Sequence, residues 1–254
     1  MSSIAASLIG FGSISVGILL GFFINRLLPD HHLSSDSKDA IKMAWGIVAT
    51  MAALVLSLLV ASAKNTFDTI NNETTGIGAK IMVLDHDLAR YGPETKATRE
   101  ELRQVVAARM QKIWPGDATT GPASAELEQG NGMEGVEDQI SKLVPQTDDQ
   151  RALLAQAKQI CGDLLMARWL IIEQSHAGLP NILLVVLVLW LTLLFFGIGL
   201  LAPRNKTVLV ALFLCNLSFS TAIFLIDEMD RPLDGVMKIS SAPLSKVLEH
   251  LNQP

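Results

Sequence analysis

The chain has 254 residues, half of them apolar, with a net charge of −5 and only 18% charged residues. A soluble globular chain carries nearer about 25%, and the deficit is concentrated: residues 1–25, 43–63, 174–203 and 207–226 contain no Asp, Glu, Lys or Arg. Uncharged apolar runs of this length are the signature of membrane-spanning helices. They exclude a purely soluble, collagen-like or disordered chain. Two cysteines, Cys161 and Cys215, exclude a disulfide scaffold, and the acidic balance without a basic tail argues against nucleic acid as a partner.

The first span is expected over residues 4–24. It has no basic segment before it and no small-x-small site before its first charge at Arg26, so it reads as a span rather than a leader peptide. Pro29 ends it. Ser35 or Ser37 can cap the next helix, with Asp36 and Asp39 in the first turn. The second span covers 43–63, the third 182–201 between Pro180 and Pro203, and the fourth 207–226. Only residues 204–206 join the last two, which makes them an antiparallel hairpin in contact with the lipid bilayer.

Residues 64–180 form an insert between spans two and three, with 12 basic and 17 acidic residues; it therefore holds the whole net charge and reads as water-soluble. Phe67, Ile70, Thr74, Ile77, Ile81, Leu84, Leu88 and Tyr91 recur at alternating steps of three and four, the period of a helix packed on helices in coiled-coil fashion. With no Pro between Asp39 and Pro93, span two is expected to run on as one long helix, weakened locally by Gly76 and Gly78. Further helices are expected over 94–114, 136–144 and from a Thr147/Gln150 capping box to about 175, with a Gly/Ser/Thr-rich loop at 116–132. The tail, 227–254, holds a short amphipathic helix starting at Ser241-Ala242-Pro243. Its face of Leu244, Val247, Leu248 and Leu251 lies against either the protein or the membrane interface. The fold class is all-α: a four-span helical membrane protein with a helical soluble insert. Charge counting does not orient it, since five basic residues flank one side and six the other.

Several constellations bear on function. On span two, Thr50, Ser57 and Lys64 recur every seven residues, beside Ala53, Leu54 and Ala61. A small, hydroxyl-bearing face with a lysine at its mouth suits a water path for inorganic anions; equally, it suits close helix packing with a lysine reaching the interface. Ser13, Gly17, Gly21 and Asn25 fall at four-residue intervals on span one, a close-packing face, and Asn216, Ser220 and Thr221 on span four call for partners on a neighbouring helix. Asp227, Glu228, Asp230 and Asp234 are candidates to grip a hard cation, although they follow no EF-hand pattern. His31 and His32 lack a third ligand at sensible spacing, so no metal site and no cofactor is expected. Phosphate-loop, zinc-protease, nucleophile-elbow and redox motifs are all missing, which argues against an enzyme.

Five stretches carry a resemblance: HLSSDSKD at 32–39, AALVLSLLVASAKNTFD at 52–68, LDHDLARYGPE at 84–94, WLTLLFFGIGLLAPRN at 190–205 and AIFLIDEMDRPLDGVMKISSAPL at 222–244. Together they resemble the bacterial bestrophin-like family. The resemblance implies a distant relation to pentameric, chloride-permeable channels with a pore-lining second span, and so a homo-oligomer with the insert and both termini in the cytoplasm, in the inner membrane. It also implies a bulky apolar constriction on span two, for which Leu54 is best placed. Leu233 stands where the bestrophins have Phe, and no acidic run follows Gly235, a departure that puts calcium gating in doubt. On this reading Thr50, Leu54, Ser57, Ala61 and Lys64 line the path. The alternative is a non-conducting scaffold or sensor whose heptad helix binds partners.

Overall fold

A computed structural model of the chain describes residues 3–27, 35–115, 132–176, 181–203, 205–233 and 235–252. The described residues contain eight α-helices and no strand: α1 (Ser3–Leu27), α2 (Ser35–Tyr91), α3 (Lys96–Ile113), α4 (Met133–Ser141), α5 (Asp148–His176), α6 (Asn181–Leu201), α7 (Lys206–Met229) and α8 (Ala242–Leu251). Four of them, α1, α2, α6 and α7, are long and apolar enough to cross a membrane. Pro29, the side chains of 35–38, the loop at 116–131, Pro180 and Arg204 lie outside the described residues, and with them the capping and hairpin expectations made there.

α2 is one unbroken helix of 57 residues, roughly 85 Å at the standard rise. It contributes to both units into which the chain divides: residues 1–67 with 178–237, and residues 68–177 with 238–254. Its end is fixed by polar side chains. The Thr95 hydroxyl donates to the carbonyls of Leu88 (2.6 Å) and Gly92 (2.8 Å), and the Gln150 amide donates to the carbonyl of Tyr91 (2.9 Å). Gly92 turns the chain at φ 143°, a conformation that side-chain-bearing residues rarely adopt.

The first unit is built on close backbone approach. A Cβ placed on Gly17 would lie 2.7 Å from the Thr192 carbonyl oxygen, one on Gly21 would lie 2.8 Å from the Leu200 nitrogen, and one on Gly199 would lie 2.6 Å from the Ile18 carbonyl oxygen. Thus α1 and α6 touch along their main chains, which small residues alone permit. α7 is fastened to α1 by Asn216 and by the edge-to-face rings of Phe11 and Phe213, 5.9 Å apart. α2 enters through Ala52, Leu59 and Ala63, which share a core with Ile14, Ile18, Leu187, Leu191 and Phe195.

The second unit packs α3, α4, α5 and α8 around the later part of α2, on Ile81, Leu84, Leu88 and Tyr91. Two boundaries differ from the sequence reading. Pro93–Thr95 forms a separate 3-10 turn before α3. α4 covers Met133–Ser141 rather than 136–144, because the amides of Lys142 and Leu143 bond three residues back, in a tightened last turn ahead of Pro145. In the capping box, the Gln150 amide hydrogen reaches Thr147 Oγ1 (3.1 Å), whereas the Gln150 side chain accepts from Gln146 rather than from Thr147. The two alternatives for α8 resolve in favour of the protein: Leu244, Val247, Leu248 and Leu251 are all buried in this core. Gly78, expected only as a weak point, is buried beside α8, where a Cβ would stand in ordinary contact with Val247 Cγ2 at 3.4 Å. The tail is also tied by the Trp114 indole, which donates to the Ile239 carbonyl (2.8 Å).

Among the described residues of this unit, one ion pair has a buried carboxylate and a part-buried guanidinium. Arg99 on α3 meets the Asp85 carboxylate on α2 through two parallel hydrogen bonds of 2.7 and 2.9 Å, with the Asp85 side chain 4% exposed. Arg99 titrates above its usual range because it donates to Asp85. Truncating Arg99 leaves a carboxylate buried without its partner. Arg99→Ala is therefore expected to destabilise the chain by about 2–4 kcal/mol, read as a lower midpoint in denaturant unfolding followed by helical circular dichroism; the double variant with Asp85→Asn recovers part of the loss.

Candidate functional site

The membrane-length part of α2 has two opposite faces. Ala52, Leu59 and Ala63 are buried, with Trp45, Val48, Val55, Leu56 and Phe67 half-buried beside them. Trp45 sits over Gly197, where a Cβ would collide with Cη2, Cζ2 and Cζ3 of the indole. Every residue expected to line a path, namely Thr50, Leu54, Ser57, Ala61 and Lys64, lies on the other face and is exposed in the single chain. The structure thus brings Thr50, Ser57, Ala61 and Lys64 together on one strip, with Leu54 at its border, and turns them away from the chain's own core.

The strip is longer than the sequence reading supposed. Gly46, Thr50, Ala53, Ser57, Ala61, Lys64, Asp68, Asn72, Thr75, Ala79, Met82 and His86 follow at steps of three and four, and all are exposed. This is a 3.6-residue stripe. Its members are small or polar except Met82, and it parallels a bulkier exposed row, Met43, Ile47, Met51, Leu54 and Leu58. Leu54 belongs to that bulkier row, at its border with the polar strip. Thr50 bonds its own helix, donating to the Ile47 carbonyl (2.7 Å), so its hydroxyl is satisfied without a neighbouring helix. The continuation past Lys64 was readable in the sequence from the same three-and-four stepping. It was masked there by the stronger apolar seam on the opposite side of the helix.

The heptad seam itself is consumed within the chain. Ile70, Thr74, Ile81, Leu84, Leu88 and Tyr91 are buried, and Phe67 and Ile77 half-buried. The helix-packing residues fall as follows. Ser13 is half-buried on α1; Gly17 and Gly21 face α6; the Asn25 amide donates to the Leu200 carbonyl. Asn216, 1% exposed, donates to the Phe11 carbonyl (3.1 Å) and to Ser15 Oγ (2.9 Å), and Ser220 donates back to the Asn216 carbonyl (2.9 Å). Thr221 is exposed and donates to the Leu217 carbonyl of its own helix.

α7 runs to Met229, past the expected end at 226, so Asp227 and Glu228 of the acidic cluster lie in its last turn and are engaged within the chain. Glu228, 3% exposed, accepts from the backbone amides of Val236 (2.5 Å) and Met237 (3.1 Å) and from the Ser3 hydroxyl. Asp227 faces Arg231 at 3.7 Å. Asp230 is half-buried, and Asp234 lies outside the described residues, as do His31 and His32. No group of three or more His, Cys, Asp or Glu able to hold a metal occurs among the described residues. The amide clamp on Glu228 had no sequence signal, because backbone donors leave none.

The family model for the Bestrophin-like domain matches residues 12–244. The chain belongs to the bestrophin-like family. Solved structures similar to it include three of a bacterial bestrophin homolog from Klebsiella pneumoniae. A point variant matches at TM-score 0.67 and 12% identity, covering 98% of this chain and 97% of that one. The form solved by zinc phasing matches at 0.66 and 12%, covering 94% and 96%. A second variant matches at 0.62 and 16%, covering 98% of each. At such identities the likeness shows a shared fold. No curated protein matches the sequence.

The face assignment on α2 has a direct test in two adjacent alanines. Ala52 is 3% exposed and Ala53 is exposed. Ala52→Leu is expected to cost about 1–3 kcal/mol by overpacking, seen as a lower thermal midpoint in detergent, while Ala53→Leu leaves the midpoint within error. The opposite ranking would reverse the two faces.

Proposed function

We propose that this bestrophin-like chain is a subunit of a homo-oligomeric, anion-permeable channel in the inner membrane, with the exposed strip of α2 lining the path. One observation carries the reading. Among the four apolar helices, α2 has the least of its membrane-length window buried, 11% against 28–33%. Yet the uncovered face is the one bearing Thr50, Ser57 and Lys64 rather than an unbroken apolar surface. A hydroxyl-bearing, small-residue face is poorly matched to acyl chains and well matched to a water-filled axis. Lys64 at the end of the span supplies positive potential that concentrates anions. Leu54 narrows the path where bulk is otherwise low, and a ring of such side chains excludes water when it closes.

The insert and both termini face the cytoplasm in this proposal, as the family resemblance implies, and five copies surround the axis. Permeation needs no reacting group, and the chain is read as a non-enzyme. The scaffold alternative is less favoured, because most of the apolar seam of residues 67–91 is already covered by the chain's own helices.

Reconstituted into liposomes, the protein is expected to pass chloride in preference to sodium. Lys64→Glu is expected to lower that preference, and Leu54→Ala to raise total flux, both with the oligomer intact on native mass measurement. Unaltered selectivity in an intact Lys64→Glu assembly would count against Lys64 at the mouth. Absence of any flux from the intact wild-type assembly would remove the channel reading.

A further inference from the structure

The exposed face of α5 changes character along its length. From Arg151 to Asp163 its exposed residues are charged, polar or small. In the last turns they are Met166 (67% exposed), Trp169 (63%) and Leu170 (45%), three large apolar side chains on one ridge. Among the described residues, α3, α4 and α8 expose no large apolar side chain, and the only others in this unit are Met82, Val83 and Val144. The change therefore needs a local cause.

Chain connectivity supplies one. Four residues separate the end of α5 at His176 from the start of α6 at Asn181, which limits the gap to about 17 Å at full extension. Trp169 lies roughly 10 Å along the helix before His176. α6 opens with exposed Ile182, Leu183 and Val185, the surface that acyl chains cover if α6 crosses the membrane. A ridge of Met, Trp and Leu just ahead of such a helix, on a face that is polar farther away, has the chemistry of the membrane–water boundary, where tryptophan collects. Glu173, exposed one turn later, keeps the ridge shallow, because a carboxylate is not carried into hydrocarbon.

We propose that the last turns of α5 lie along the lipid headgroups, with Met166, Trp169 and Leu170 set into the interface. The occupant of the ridge is then lipid rather than a second copy, since a contact between copies gives no reason for apolarity to begin only in the turns that precede α6 in the chain. The inference rests on α6 crossing the bilayer, as proposed above, and not on ion permeation.

The test uses a nitroxide attached at Met166→Cys in the full-length protein with Cys215→Ser, in phosphatidylcholine vesicles. Cys161 is buried, with burial pushing its thiol up to about 11, and stays unlabelled. Labels at Val185→Cys and Lys158→Cys serve as references for lipid and for water. At Met166 the ratio of oxygen to nickel-chelate accessibility is expected to lie between the two references and several-fold above that at Lys158. A value equal to that at Lys158 would place the ridge in water, and protection from both reagents would place it under protein; either overturns the proposal. If the label at Val185 itself fails to report lipid, the spanning assignment of α6 fails instead, and the two failures are distinguishable.

Discussion

The structure depends on one helix having two incompatible faces. α2 runs without a break from Ser35 to Tyr91, and its buried face is made first of small residues, Ala52 and Ala63 around Leu59, then of large ones, Ile70, Ile81, Leu84 and Leu88. The small residues allow α2 to lie close to its neighbours. The large ones bury apolar surface against the helices of the second unit. In the proposed membrane placement, one rod meets the packing rules of two solvents in succession.

The opposite face follows from the same constraint. Once Ala52, Leu59, Ala63 and the heptad seam are committed inward, Thr50, Ser57, Lys64 and the strip beyond them point away from the chain's own core by helical geometry alone. A strip of that composition is costly against acyl chains and inexpensive against water, which is why the proposed role falls on it. The remaining apolar helices serve the placement of α2. The glycine contacts of α1 with α6, the Asn216 bonds of α7 and the ring of Trp45 over Gly197 fix the bundle on which α2 packs.

Much of the architecture was legible in the residues. Charge-free runs located the four apolar helices, and the absence of proline between Asp39 and Pro93 with the seam from Phe67 to Tyr91 pointed to one long α2. Other features were not legible, for physical reasons. Amphipathicity says that Leu244, Val247, Leu248 and Leu251 are covered but not by what; Gly78, a poor helix former, reads as a flaw until α8 is seen lying over it. Carboxylates near a span end suggest a cation, because the amides of Val236 and Met237 that engage Glu228 belong to the backbone and carry no sequence mark. The Arg99–Asp85 pair joins residues fourteen apart on different helices, beyond any local periodicity.

The central claim is that the Thr50/Ser57 face of α2 borders water in the assembled protein. Its most direct measurement is the reaction of Ser57→Cys, in a Cys215→Ser background reconstituted in liposomes, with a charged, membrane-impermeant thiosulfonate. The account predicts modification together with a fall in chloride flux, and protection of Ala52→Cys under the same conditions. Modification of Ser57→Cys by lipid-soluble maleimides alone, with flux unchanged, would contradict it and leave the strip facing lipid.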